Sequence, residues 1–332
     1  MFAAAIEING GPEAFEYIEM PDPVCLDDGV VIDVEAISIE GGDLLARAMS
    51  PLKVVPHVVG YIAAGTIVEV GNAVTTRKLG ERVVTLHGDG SHATKRAVSA
   101  AMAWPIPDGV STQDAACVPV AFGTAFECLF TAGDLQPGQT VLIHAGSGGV
   151  GMAAIQMAKL AGATVIATAS SADKLERLKA FGMDHGIDYA TEDFVKATQK
   201  LVGKGASQAA YGGGGVDVVV DSVGGRTLTD SVKVLGWRGR LVSVGIAARG
   251  GSSFDAFSLW SRNNTLHGVL LATALRAEYP RTFAMIGECL ARVASGELKV
   301  QIAKVFPLAE AAAAHAYIEG RHAFGRVVMT TG

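Results

Sequence analysis

The first 110 residues contain short apolar runs that are separated by turn-forming residues. Residues 30–36, residues 66–70 and Arg82–Leu86 are rich in valine, isoleucine and threonine, as is typical of β-strands. Turn sequences that contain glycine lie between these runs, and Pro105 and Pro107 mark the end of the region. This pattern predicts a β-rich amino-terminal region folded as a barrel or a sheet.

From about residue 112 the pattern changes to strands that alternate with helices. Residues 113–132 are alanine-rich and predict a helix, with Ser111 or Thr112 as its N-cap. The strands predicted after this helix are 140–144, Thr164–Ala169, Val216–Asp221 and 240–244, and the helices are 149–161, 172–181 and 228–234. Such alternation predicts a parallel sheet covered by helices on both faces.

The remainder of the chain adds a loop and a short tail to this pattern. Residues 203–215 are rich in glycine and show no periodicity, which predicts a mobile surface loop. The tail returns to helical patterns at 285–295 and 308–319 and to a strand at 325–330.

Composition narrows the possible functions. The chain has 332 residues, of which 49% are apolar, so it can build the cores of two domains. A net charge of -6 and the lack of a basic block disfavour nucleic acid or a membrane surface as the main partner. The four cysteines form no CxxC pair, and the amino terminus does not resemble a signal peptide. We therefore expect a cytoplasmic protein with reduced thiols.

A glycine-rich turn provides the strongest sign of a binding site. Gly146, Gly148 and Gly151 form a G-x-G-x-x-G motif that follows an apolar strand and opens a helix. In a dinucleotide site these glycines permit a tight turn, close approach of a pyrophosphate, and close packing of helix on strand. The alternative is a turn that is purely structural. The context favours cofactor binding by Gly146, Gly148, Gly149 and Val150.

The end of the second predicted strand bears on the choice of cofactor. An NAD site would place an acidic residue there to bind the ribose 2′-hydroxyl, but Ser170, Ser171 and Lys174 follow the strand. These side chains suit a 2′-phosphate and predict NADPH. The alternative is that one serine only caps the next helix and that Lys174 is a solvated surface charge beside Asp173.

Several segments together resemble one protein family. Residues 145–151 resemble the AxxGGVG fingerprint of the medium-chain dehydrogenase/reductase superfamily, and residues 10–13, 65–71, 80–83, 221–225, 239–242 and 324–328 are similar to its other motifs in the same order. The resemblance implies an α/β protein with a GroES-like β-rich substrate domain at 1–112 and a Rossmann domain, a doubly wound parallel sheet, at 113–260. Residues 261–332 would complete the Rossmann sheet and rejoin the substrate domain.

The zinc ligands of the alcohol dehydrogenases in this superfamily are missing. Where those enzymes have a Cys-His pair before an aspartate, this chain has Glu40, two glycines and Asp43, and Tyr61 replaces the histidine of a Gly-His-Glu motif. No four-cysteine lobe is present. The chain is thus similar to the zinc-free quinone oxidoreductase branch, which includes the zeta-crystallin-like proteins, and no metal is expected.

The resemblance also implies roles for single residues. Glu40 would be either a proton donor or an ion-paired structural carboxylate, Tyr61 would shape the acceptor pocket, and Asp43 would tie loops together. Thr124 would approach the nicotinamide, and Tyr189 would pack near the adenosine phosphate. The other cofactor-binding residues implied are Ser222, Val223, Gly245, Ile246, Val269, Leu270 and Leu271.

These observations predict an NADPH-dependent reductase that transfers hydride to a quinone or conjugated enone. Such acceptors form a delocalised phenolate or enolate, so positioning rather than a Lewis acid carries catalysis. One alternative is an enoyl-thioester or alkene reductase, or an atypical alcohol dehydrogenase. A second is a non-enzymatic NADPH-binding protein with a structural or RNA-binding role. The family resemblance further implies a homodimer formed through an edge strand at 265–271.

Overall fold

The computed structural model describes residues 1–203, 214–248 and 254–332, and the chain divides into two compact units. Unit 1 comprises Met1–Val120 and Ala284–Gly332, and unit 2 comprises Ala121–Phe283. Most of the loop predicted at 203–215 lies outside the described residues.

The amino-terminal part of unit 1 is built mainly from strands. They are β1 (Phe2–Ile6), β2 (Glu16–Glu19), β3 (Gly29–Ser38), β4 (His57–Val58), β5 (Ile62–Val70), β6 (Arg82–Leu86), β7 (Lys95–Ser99) and β8 (Ala103–Pro105). Its helices are α1 (Gly41–Met49) and α2 (Thr112–Ala116).

Strands and helices alternate in the next part of the chain. The strands are β9 (Thr140–Ile143), β10 (Thr164–Ala169), β11 (His185–Asp188), β12 (Val216–Asp221), β13 (Leu235–Ser243) and β14 (Thr265–Gly268). The helices are α3 (Pro119–Phe126), α4 (Gly149–Leu160), α5 (Ala172–Leu178), α6 (Phe194–Val202), α7 (Gly225–Ser231), α8 (Phe257–Trp260) and α9 (Leu271–Ala277). The tail contains α10 (Tyr279–Ala294), β15 (Ile302–Pro307), α11 (Ala311–Glu319) and β16 (Arg326–Thr330).

The main sheet of unit 1 brings the two ends of the chain together. Its described strands follow the order β15-β16-β3-β5-β6-β8, and β7 also pairs with β3. The pairing of β16 with β3 is antiparallel and sets Val328 opposite Ser38. Buried valine and isoleucine side chains, including Ile32, Ile37 and Ile67, form the core beneath this sheet. Arg326 therefore lies beside the segment that leads from β3 into α1.

The described strands of unit 2 form a parallel sheet in the order β11-β10-β9-β12-β13-β14. This is the 3-2-1-4-5-6 order of the Rossmann fold. The strands are almost continuously apolar because helices cover both faces, and Leu142, Ile166 and Val219 are fully buried. All carboxyl ends meet at one edge, where this fold binds its ligands.

Two predicted elements need correction. The single helix predicted at 113–132 is interrupted before Pro119, because proline lacks the N–H that a helix interior requires, and Pro119 instead opens α3. The last six residues of that stretch form a π-helix, Glu127–Ala132. The edge strand predicted at 265–271 ends at Gly268, and Leu271 begins α9. Ser111 caps α2 as predicted, accepting a bond from Asp114 N at 3.0 Å.

Candidate active site

The predicted cofactor residues converge on the carboxyl edge of the unit 2 sheet. Each of its six described strands is followed within three residues by at least one of them. Tyr189, Ile246 and Leu270 are apolar side chains there that are 47%, 52% and 64% exposed. Flat apolar groups such as the adenine and nicotinamide rings would cover surfaces of this kind.

The glycine-rich turn is tightly bent, with a crowded position at Gly151 and an open one at Gly148. Ala145 adopts a positive φ of 51°, and Gly146 N donates to the Thr168 carbonyl at 2.8 Å. A Cβ added at Gly151 would lie 2.4 Å from the Ala145 carbonyl oxygen, so packing requires glycine there. A Cβ added at Gly148 would meet only that oxygen, at an ordinary 3.4 Å. Internal packing thus does not explain Gly148, whereas close approach of a ligand to the start of α4 would.

The segment after β10 supplies hydroxyl and ammonium groups. Ser171 caps α5, and its Oγ accepts a bond from Lys174 N at 3.3 Å. The capping alternative is thus correct for Ser171, but its O–H can still donate to a ligand. Burial lowers the pKa of Lys174, and Arg177 adds to that effect. Asp173, which precedes Lys174 in the chain, is 78% exposed, and its carboxylate lies 3.8 Å from the Arg177 guanidinium.

The loops after β12 and β13 are bonded to each other. Asp221 is buried, and its Oδ1 accepts bonds from Val223 N at 2.6 Å and Gly224 N at 3.0 Å. Ala247 N and Ala248 N donate to the carbonyls of Ser222 and Val223 at 3.3 and 2.9 Å. These bonds hold the 222–224 and 245–248 segments together beside β9, the strand that leads into the glycine-rich turn.

A cavity of about 420 Å³ lies at the end of β14, lined by Val269, Leu270, Ser243 and the π-helix residue Glu127 among others. Leu271, in contrast, is only 6% exposed in α9, and Thr124 is 6% exposed in α3. Glu127 is ion-paired with Arg281 at 2.8 Å. Val269 and Leu270 therefore face open space, whereas Leu271 takes part in packing.

In unit 1, Glu40 lies in a buried cluster of polar groups. The Arg326 guanidinium contacts the Glu40 carboxylate and also donates to Ser38 Oγ at 2.6 Å and the Ile39 carbonyl at 2.8 Å. Burial raises the pKa of Glu40, while Arg326 and Ser38 act in the opposite direction. The Cys117 thiol belongs to the same cluster, and burial raises its pKa to about 11. The sequence analysis did not identify Cys117 or the role of Arg326. The only indication for Arg326 was its position in the family-like motif at residues 324–328.

Asp43 connects α1 to the segment that carries Tyr61. Its carboxylate accepts bonds from Glu40 N at 2.8 Å and from Tyr61 N at 3.2 Å, as expected for a residue that ties loops together. Burial raises the pKa of Asp43 to about 8 against these two donors. The Tyr61 ring packs on Gly42, where an added Cβ would lie 2.4 Å from Cε2. Burial, Asp43 and Glu40 raise the pKa of Tyr61 to about 12, so its phenol stays protonated.

Comparison with known proteins decides the family. A model for the alcohol dehydrogenase GroES-like domain matches residues 26–108, and one for zinc-binding dehydrogenases matches residues 149–288. The chain is 33% identical to a 2-haloacrylate reductase from Burkholderia sp, covering 99% of this chain and 98% of that protein. It belongs to the quinone oxidoreductase branch of the medium-chain dehydrogenase/reductase family. It is therefore an oxidoreductase.

Further members of the family agree with this assignment. The solved structure of the Escherichia coli quinone oxidoreductase complexed with NADPH matches with a TM-score of 0.91 and 27% identity, covering 99% of this chain and 100% of that one. The human synaptic vesicle membrane protein VAT-1 homolog is 30% identical over 91% of this chain and 79% of its own length. The predicted combination of a GroES-like and a Rossmann fold is thus confirmed.

In the described parts of the chain, no three histidine, cysteine, aspartate or glutamate side chains are grouped so that they could hold a metal ion. No helix among the same residues is both long and apolar enough to cross a membrane.

Proposed function

We propose that this oxidoreductase uses NADPH to reduce a small acceptor in which a carbonyl is conjugated, such as a quinone or an enone. The observation that carries the proposal is the carboxyl edge of the unit 2 sheet. It combines a glycine turn open at Gly148 with a second strand that ends in hydroxyls and a lysine instead of a carboxylate. The complex of the Escherichia coli relative with NADPH supports this choice of cofactor.

Different residues at this edge would bind different groups of the cofactor. Gly148 N already donates to the Ala145 carbonyl at 3.0 Å, so the N–H groups of Gly149 and Val150 would bind the pyrophosphate at the start of α4, and Gly148 would let it approach closely. Ser170, Ser171 and Lys174 would bind the 2′-phosphate, to which a charged donor contributes more than a neutral one. When bound, NADPH supplies the hydride.

Tyr189, Gly245, Ile246, Val269 and Leu270 would fix the two rings of the cofactor. The exposed side chains of Tyr189, Ile246 and Leu270 support this assignment. Ser222 and Val223 would contribute through their bonded loop, and Leu271 would do so only by packing behind Leu270, since it is buried. We place Thr124 at the nicotinamide on family resemblance.

Reduction of a conjugated acceptor requires only a weak acid, and unit 1 offers such groups in Tyr61 and Glu40. Hydride addition to such an acceptor places the negative charge on a delocalised enolate or phenolate, which a weak acid can protonate. Two relatives support the class, since one is named for a quinone and another for 2-haloacrylate, in which a double bond is conjugated with a carboxylate.

Tyr61 is the better candidate for the proton donor. Glu40 is 4% exposed and ion-paired with Arg326, which supports the structural interpretation of this carboxylate. The Tyr61 phenol remains protonated at neutral pH and is only partly buried. Asp43, through its bond to Tyr61 N, holds that segment in place.

A single screen tests the proposal. NADPH oxidation is measured with quinones, enones, 2-haloacrylate and enoyl thioesters, and the reverse reaction is measured with saturated alcohols and NADP⁺. We expect the largest kcat/KM with a conjugated acceptor and at least tenfold weaker binding of NADH than of NADPH. Equal affinity for the two cofactors would remove the 2′-phosphate assignment. Tight NADPH binding without turnover of any acceptor would favour a non-enzymatic role.

A further inference from the structure

A buried histidine lies directly below the glycine-rich turn of unit 2. His144 follows β9 and is only 2% exposed, and its ring packs edge-on against Phe194 with centroids 4.8 Å apart. Its two ring nitrogens lie 3.2 Å from Thr168 Oγ1 and 3.0 Å from Ser231 Oγ. Thr168 and Ser231 are buried as well. The proposed chemistry makes no use of this histidine.

The bonds around His144 can run in one direction only. Ser231 Oγ donates its hydrogen to the Thr227 carbonyl at 2.7 Å, so it must accept from His144 Nε2–H. Burial lowers the pKa of His144 to about 3, so the ring is neutral and Nδ1 is an acceptor. Thr168 Oγ1 therefore donates to Nδ1, and its lone pair accepts Ala145 N at 3.3 Å. The result is a continuous relay from Thr227 through Ser231, His144 and Thr168 to Ala145.

This relay connects two of the segments that we assign to the cofactor. At one end it fixes Ala145, whose positive φ of 51° is uncommon for a residue with a side chain and turns the chain into Gly146. At the other end it anchors α7, which begins directly after the 222–224 segment. The turn and the loop after β12 are thus set by one hydrogen-bonded unit before any ligand arrives.

We propose that His144 is a positioning residue that presets the glycine-rich turn for the pyrophosphate of NADPH. The inference rests on the proposed cofactor and adds a residue that touches neither the cofactor nor the acceptor. A turn that is already ordered does not have to be ordered when the cofactor binds, which makes binding more favourable. Losing the relay should therefore weaken cofactor binding and leave the hydride transfer step unchanged. The 2′-phosphate end of the site lies outside the relay and keeps its affinity.

The test compares two ligands on four variants of the full chain. NADPH carries the pyrophosphate, whereas adenosine 2′-monophosphate reaches only the Ser170, Ser171 and Lys174 region. We expect His144→Phe and Thr168→Val to raise the Kd for NADPH roughly tenfold, the effect of about one lost hydrogen bond. Ser231→Ala should act in the same direction although Ser231 lies outside the turn. The Kd for adenosine 2′-monophosphate and kcat at saturating NADPH should stay within about twofold.

Thr168→Ser is the matched control, because it keeps the hydroxyl and should bind NADPH nearly as well as the wild type. If His144→Phe does not fold, the pair Thr168→Val and Thr168→Ser decides the question alone. Unchanged NADPH binding in folded variants would overturn the inference, as would equal weakening of both ligands, which indicates general damage. Failure of the wild type to bind NADPH would instead refute the proposed cofactor.

Discussion

Substitution by alanine is expected to affect different properties at two glycines of the same turn. At Gly148 it should mainly weaken NADPH binding, and at Gly151 it should mainly lower the free energy of unfolding. Gly148 has a backbone conformation, φ −84° and ψ 171°, that alanine readily adopts, and its new methyl group would meet only the Ala145 oxygen at 3.4 Å. At Gly151 the methyl group would lie 2.4 Å from the same oxygen and 2.7 Å from Gly146 Cα. These are backbone atoms that cannot rotate away.

The magnitudes follow from these contacts. Gly148 is the N-cap of α4, where alanine is a poorer residue than glycine, so Gly148→Ala should lower the free energy of unfolding by at most about 1 kcal/mol. Gly151→Ala forces the turn and α4 apart and should cost roughly 1–3 kcal/mol, the usual penalty of overpacking. For the affinity for NADPH, in contrast, the larger loss is expected at Gly148. The Gly148 methyl group occupies the space where the pyrophosphate must approach, so the folded variant should bind at least about tenfold more weakly, or about 1.4 kcal/mol.

The assay measures both quantities on each variant. Urea unfolding gives the stability, and fluorescence titration gives the Kd for NADPH. Gly287→Ala is the control, because this glycine lies within α10 with nothing within 4 Å of the added Cβ. It should leave the Kd unchanged. If Gly148→Ala is stable and binds NADPH like the wild type, the pyrophosphate does not contact the start of α4 and the site assignment is wrong.

Four further outcomes are expected. Lys174→Glu should weaken NADPH binding by roughly tenfold or more while leaving NADH binding nearly unchanged, and equal losses for both cofactors would argue against a 2′-phosphate contact. Tyr61→Phe should slow enone reduction by roughly 100-fold and quinone reduction far less, whereas Glu40→Gln should lower thermal stability and both rates together; the reverse pattern would make Glu40 the acid. His315 is a buried residue of α11 whose Nδ1 lies 3.1 Å from Arg47 Nη1. Burial, with the charge of Arg47, lowers the pKa of His315 from 6.5 to about 3, so its contribution to stability is present above pH 6.5 and lost as the pH falls. The difference in unfolding free energy between the wild type and His315→Gln should shrink by about 1.4 kcal/mol per pH unit below pH 6, and a constant difference would contradict this. Sedimentation should show a dimer, since β14 (Thr265–Gly268) lies at the edge of the sheet that the described strands form; a monomer at micromolar concentration would refute it.

Local sequence was sufficient for the features that depend on neighbouring residues. Strands β10 and β12 have the predicted bounds, because an apolar run between helices is recognisable without the rest of the chain. The glycine turn and the missing carboxylate after β10 were equally visible. The break at Pro119 was also present in the sequence, but the alanine-rich composition around it concealed it. Family motifs then fixed the order of the two folds.

Tertiary structure alone determined which distant side chains meet. Arg326 reaches Glu40 because β16 pairs with β3, a contact across 286 positions that no local pattern encodes. His144 bonds to Thr168 and Ser231, which lie 24 and 87 positions away, because parallel strands and their helices bring successive segments to one edge. Periodicity records whether a residue is buried but not which partner it finds. The polar networks beneath the cofactor turn and around Glu40 therefore became visible only when the chain was folded.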